Sequence, residues 1–153
     1  MGIYRPLGCL LLLLGVFPLL PAQESPAPEG EILEPETLIG LTLEGVYSRF
    51  GVPQEVYAVR GTDEWQDDVV LVYPQGDFYV YRDRVWQLGI PAVRGIRVGD
   101  NRRAVPLALG QNIQEGEDYF LLPISGRPWP IHLRVNIGNS GQVAEIFMYR
   151  SDF

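Results

Sequence analysis

The chain has no lysine, one histidine, one cysteine and two methionines among its 153 residues. All 12 cationic side chains are arginines, and we read no function from that. One histidine, His132, and one cysteine, Cys9, are too few for a zinc site, which draws several His or Cys ligands. No glycine-rich phosphate loop occurs. Asp67-Asp68 and the acidic stretch Glu115 to Asp118 lack the alternating oxygen spacing of a calcium loop. Ser48, Ser125, Ser140 and Ser151 lie in no nucleophile-elbow signature, so no catalytic residue, metal or cofactor is expected. Basic charge is also scarce. The net charge of −7 argues against nucleic acid and anionic lipid as general partners.

No apolar run is long enough to span a bilayer comfortably, which takes about 20 residues. The longest, Leu7 to Leu20, is interrupted by Gly15 and Pro18. Arg5 precedes it and Pro21-Ala22-Gln23 follows, the arrangement of a signal peptide over residues 1–22. Cys9 stands near the start of the apolar run rather than after it, which argues against lipidation. Cleavage after Ala22 leaves no cysteine, so the exported chain relies on its core and not on disulfides. The expected address is the periplasm or the medium. Residues 23–36 are rich in Pro and Glu and read as a flexible linker.

The charge is uneven. Glu24 to Ile90 carries 13 acidic residues against four arginines, and Pro91 onward carries six against seven. The segment Ile39 to Gly51 can also be laid on Val98 to Gly110 without a gap, with Gly40 on Gly99 and Gly51 on Gly110. In the first, Thr42 is a plausible N-cap, and Leu43, Val46, Tyr47 and Phe50 form one helical stripe. Gly51 and Pro53 end it. Strands are expected at Glu55 to Arg60, Asp68 to Tyr73, Asp77 to Tyr81 and Arg84 to Leu88. The second helix opens at Asp100 or Asn101, and Pro106 should kink or shorten it. Strands follow at Glu117 to Leu122, Ile131 to Ile137 and Gln142 to Tyr149, the last two joined by Gly138-Asn139-Ser140-Gly141. The expected fold is α+β: two tandem helix-plus-antiparallel-sheet repeats, residues 37–90 and 91–153. Helices cover one sheet face and the other stays open.

Gly40-Leu41-Thr42, Val46 and Phe50-Gly51-Val52-Pro53 resemble the signature of the BamE/SmpA family of small outer-membrane assembly proteins. The closing hairpin, Leu133 to Asn136 and Gly141 to Ile146, is similar to that family's ending. Two such units in tandem is the layout of the beta-lactamase inhibitor protein family. The resemblance covers about Thr37 to Tyr149. It implies a fold more than a function. The chain departs from it in lacking a lipidated cysteine and paired cysteines, and in having Asn112 and Pro106 in the second unit.

Strand alternation gathers aromatic side chains. It puts Tyr79 and Tyr81 on the face opposite Phe78 and Val80. It also pairs Trp86 with Leu88 and Val85 with Gln87. Tyr57 belongs with Val59. Tyrosine and tryptophan on an open sheet anchor protein partners well. Tyr57, Tyr79, Tyr81, Trp86 and Trp129 are therefore the candidate partner-binding residues. Trp129 sits in the stiff loop Arg127-Pro128-Trp129-Pro130, where it either offers a contact or plugs the core. Arg94, Arg97, Arg102 and Arg103 either pair with the acidic first half or meet an acidic partner. His132 reads as a solvated sheet-face histidine.

The expected function is non-catalytic binding of a cell-envelope protein through the open aromatic face, with room for peripheral membrane contact. One alternative is a small-ligand or lipid-binding envelope protein, which should show an enclosed apolar cavity of roughly 300 Å³ or more. Another is a hydrolase, which should show converging polar groups with shifted pKa values.

Overall fold

In the computed structural model, residues 34–60, 68–110 and 112–152 are described. The expected signal segment 1–22 and the linker up to residue 33 lie outside them. The chain enters through a 3-10 turn, Pro35–Thr37, with Pro35 buried. Helix α1, Leu43–Phe50, follows. The Thr42 hydroxyl accepts from the Gly45 N–H at 3.1 Å, satisfying one of the orphan donors of the first turn. Gly51 closes it, its N–H donating to Tyr47.

Four strands run next: β1 Glu55–Val59, β2 Asp68–Tyr73, β3 Gly76–Tyr81 and β4 Arg84–Gly89. The β3–β4 turn has only two residues. Arg82 (φ 45°) and Asp83 (φ 64°) both sit in the left-handed region, the type I′ geometry that matches strand twist. A small hairpin, β5 Ala92–Val93 and β6 Ile96–Arg97, precedes α2, Ala104–Leu109. Strands β7 Gln114–Glu115, β8 Tyr119–Ile124, β9 Ile131–Ile137 and β10 Val143–Arg150 complete the chain.

The second helix differs from its expected span. Asn101 does not cap it. Its side chain accepts from the Arg103 N–H at 3.0 Å in a tight turn, and the helix begins only at Ala104. Pro106 thereby falls within the first turn, where its missing N–H costs nothing. The helix has six residues against eight in α1.

The eight long and short strands form one antiparallel sheet in the order β1-β2-β3-β4-β10-β9-β8-β7. This overturns the expected two tandem helix-plus-sheet repeats, and with them the BamE/SmpA-like and inhibitor-like layout. The physical reason is the β4–β10 seam, where Leu88 lies opposite Met148. The last strand of one half pairs with the last strand of the other, so neither half closes its own sheet. The described residues are mostly sheet, with two short helices. A single cluster of buried side chains runs from Leu38 and Val46 through Phe78 and Leu88 to Val135 and Met148.

The two aligned segments nevertheless share local features: each enters a short helix with a buried valine, Val46 or Val105, and ends at a positive-φ glycine, Gly51 or Gly110. The Gly40 N–H donates to Val85 and the Val85 N–H to Leu41; the Gly99 N–H donates to Val143 and the Val143 N–H to Asp100.

Both helices and β5–β6 contribute to the core on one side of the sheet. Phe50 of α1 packs on Tyr73 and Phe78, with ring centroids 5.6 and 5.1 Å away. Each fully buried side chain of this size is worth about 1.5–3 kcal/mol. Among the described residues, no helix covers the other side of the sheet.

Candidate functional site

Residues directly opposite one another in an antiparallel sheet share a face. On the uncovered face, Tyr57 lies opposite Val70, Val70 opposite Tyr79, and Tyr79 opposite Gln87. Gln87 in turn lies opposite Tyr149, and Tyr149 opposite His132. Val70, between Tyr57 and Tyr79, is fully buried yet stands outside the core cluster. Tyr57, on the edge strand β1, is 39% exposed. Tyr79, Tyr81 and Trp86 are half-buried.

Trp86 reaches this face by a route that simple alternation does not give. The β3–β4 register shifts between Tyr79 and Val80. The bulge lets Val85 and Leu88 both enter the core and turns Trp86 and Gln87 away from it. The expected pairings of Trp86 with Leu88 and of Val85 with Gln87 are thereby corrected. Trp86 Nε1 then donates to Asp68 Oδ1 at 2.8 Å, spanning β3.

A second cross-strand row runs Glu55, Val72, Asp77, Gly89, Phe147 and Arg134. Gly89 interrupts it. A Cβ there would stand 3.5 Å from Phe147 Cε1, 3.6 Å from Asp77 Cβ and 3.7 Å from Tyr79 Cε2. Without one, a notch opens on the sheet, part of a cavity of about 360 Å³ lined also by Pro74, Pro91 and Glu145. Tyr79 and Phe147 meet edge to face, with centroids 6.5 Å apart at 75°. Burial pushes the Tyr79 phenol up to about 12, with further contributions from the Tyr57 hydroxyl, Asp77 and Glu145. Burial also raises Asp77, and the Glu55 carboxylate adds to the shift. No feature of the sequence reading pointed to this notch. The available signal was a glycine at the end of an otherwise aromatic and aliphatic strand.

Beyond the notch, Arg134 lies 4.4 Å over the Tyr119 ring and donates to Asn136 at 2.7 Å; Asn136 donates to Glu145 at 3.0 Å. His132 stands beside Tyr149, with centroids 5.9 Å apart.

Trp129 is not brought to this face. Its ring packs directly on Gly40 and leaves no room for a side chain there, and Arg150 covers it at 4.8 Å. It touches the core and so lies on the helix side. The arginine cluster disperses. Arg102 pairs with Glu115 at 2.8 Å within the second half of the chain. Arg94 and Arg127 hold Glu36 at 3.5 and 3.8 Å, fastening the chain's entry to the fold. Among the described residues no group of three His, Cys, Asp or Glu side chains is arranged to hold a metal.

No family profile and no curated protein matches the sequence. Two solved structures are similar in chain path. One is a cysteine-rich secretory protein from Staphylococcus aureus subsp. aureus Mu50, with a TM-score of 0.48 and 12% identity, covering 76% of this chain and 46% of that one. The other is an extracellular protein containing an SCP domain from Bacillus anthracis str. Ames, with a TM-score of 0.49 and 12% identity, covering 85% of this chain and 49% of that one. The chain spans about half the length of each.

Proposed function

We propose that the protein is an exported, non-catalytic module that binds a cell-envelope protein through the uncovered aromatic face of its sheet. The observation that carries this reading is the grouping of Tyr57, Tyr79, Tyr81 and Trp86 on the helix-free side. These rings supply large contact area at low entropic cost. Trp129 is not part of the proposed surface.

The cavity over Gly89 favours a protein over a carried lipid. It is open along the sheet and shared between carboxylates and rings, whereas a ligand carrier encloses its cargo in apolar walls. The proposal of export rests on the signal-like residues 1–22.

Tyr57→Ala is the variant of choice. Its ring is the most exposed of the four, so its loss separates binding from folding. The mature protein immobilised as bait should capture a specific envelope protein. Tyr57→Ala and Tyr81→Ala should lose that capture while their melting temperatures stay near the parent's. Undiminished capture by both variants refutes the reading.

A further inference from the structure

We propose that the notch over Gly89 receives an arginine side chain of the protein that docks on this face. The inference rests on the protein-binding reading above and names the chemistry that the partner must present.

Three features of the notch converge. First, it is a gap in an otherwise continuous row. A single missing side chain exposes the Phe147 and Tyr79 ring edges and the flank of Asp77, at the distances a Cβ would contact normally. Second, its walls are aromatic, and aromatic rings attract cations, with guanidinium the commoner guest. Third, the charged side chains that line it are acidic, and Arg134, beyond Phe147 in the same row, lies over the Tyr119 ring. Asp77 and Glu145 line it, and Glu55 stands in the same cross-strand row as Asp77. Glu145 accepts from the uncharged Asn136 amide. Among the described residues, no ion pair engages Glu55 or Asp77. The raised Asp77 pKa has the same origin: burial and a neighbouring carboxylate, with no cation to offset them.

A cation placed here relieves that repulsion. Arginine fits better than lysine. Its plane lies along an aromatic wall while its fork donates two hydrogen bonds to one carboxylate. An ammonium is more strongly hydrated and gains less from rings. The cavity of about 360 Å³ accepts a guanidinium with part of its stem.

The test uses N-acetyl-arginine amide as probe, with the uncharged N-acetyl-citrulline amide as its isosteric control. Both are titrated into the folded protein while the ring signals of Tyr79 and Phe147 are followed by NMR. Arginine amide should shift them saturably, and citrulline amide should bind about tenfold more weakly or less. Gly89→Val sets its Cβ at ordinary contact distances and favours a strand; with a melting temperature near the parent's as the check on its fold, it should abolish the shifts. Asp77→Asn keeps the shape and should weaken the probe by about tenfold. Equal responses to the two amides, or no response in the parent, overturn the proposal. A partner that needs Tyr57 yet binds Gly89→Val as well as the parent removes the arginine and leaves the aromatic face standing. A partner indifferent to both variants removes both.

Discussion

Trp86 donates its indole N–H to the Asp68 carboxylate at 2.8 Å across an intervening strand. The bond ties β4 to β2 on the side of the sheet that no described helix covers. It also fixes the indole plane, so the largest ring of the proposed surface is held in place before any partner arrives. A hydrogen bond to a charged carboxylate is worth about 1.5–3 kcal/mol. Trp86→Phe should lower unfolding free energy by about that amount in urea titrations. An unchanged midpoint would mean that the indole gains nothing from Asp68.

The neighbouring Tyr79 gives a spectroscopic handle. Its phenol is pushed up to about 12, first by burial and then by the Tyr57 hydroxyl and nearby carboxylates. The folded value exceeds the ordinary value of 10.0. The stability tied to the neutral phenol is therefore complete below pH 10.0 and is lost as pH rises through about 12. Ultraviolet titration should show a late tyrosine that disappears in Tyr79→Phe.

On the opposite side, Gly40→Ala tests the seating of Trp129. A methyl group there collides with the indole, and the left-handed backbone adds strain. Overpacking of this kind costs typically 1–3 kcal/mol. The variant should be destabilised by about 2 kcal/mol, with Trp129 fluorescence shifted toward that of a solvated ring.

The β3–β4 turn offers a change of opposite sign. Arg82 and Asp83 are ordinary side chains held at positive φ. Asparagine tolerates that region better. Arg82→Asn should raise unfolding free energy by about 0.5 kcal/mol, offset in part by the lost contact of Arg82 with the Tyr81 ring at 5.1 Å. A lower melting temperature would show that the ring contact outweighs the turn strain.

Much of the local structure was legible in the sequence. The β2 and β9 segments, the Thr42 cap and the closing hairpin follow from alternation, capping chemistry and glycine placement alone. What escaped depends on contacts distant in the chain. Pairing of Leu88 with Met148 fuses the sheet, and no periodicity encodes which strand edges meet. The bulge at Trp86 and Gln87 shifts two residues across the sheet, because Val85 and Leu88 both find core contacts. The Ala92–Val93 and Ile96–Arg97 hairpin was readable in principle from Arg94-Gly95 between apolar pairs. The aromatic face was anticipated by alternation at Tyr79 and Tyr81. The notch beside it was not, because it is made by the absence of a side chain at Gly89.

In the proposed function the aromatic face binds a partner and does not merely stabilise the sheet. The most direct measurement is affinity and melting temperature on the same preparations of parent, Tyr57→Ala and Tyr81→Ala, using the captured envelope protein as analyte. An interface anchor of this size commonly contributes about 2 kcal/mol or more, close to thirtyfold in dissociation constant. A loss of that order is expected in each variant, with melting temperatures near the parent's. Variants that melt well below the parent and bind normally once folded would contradict it, and would assign these rings to holding the sheet together.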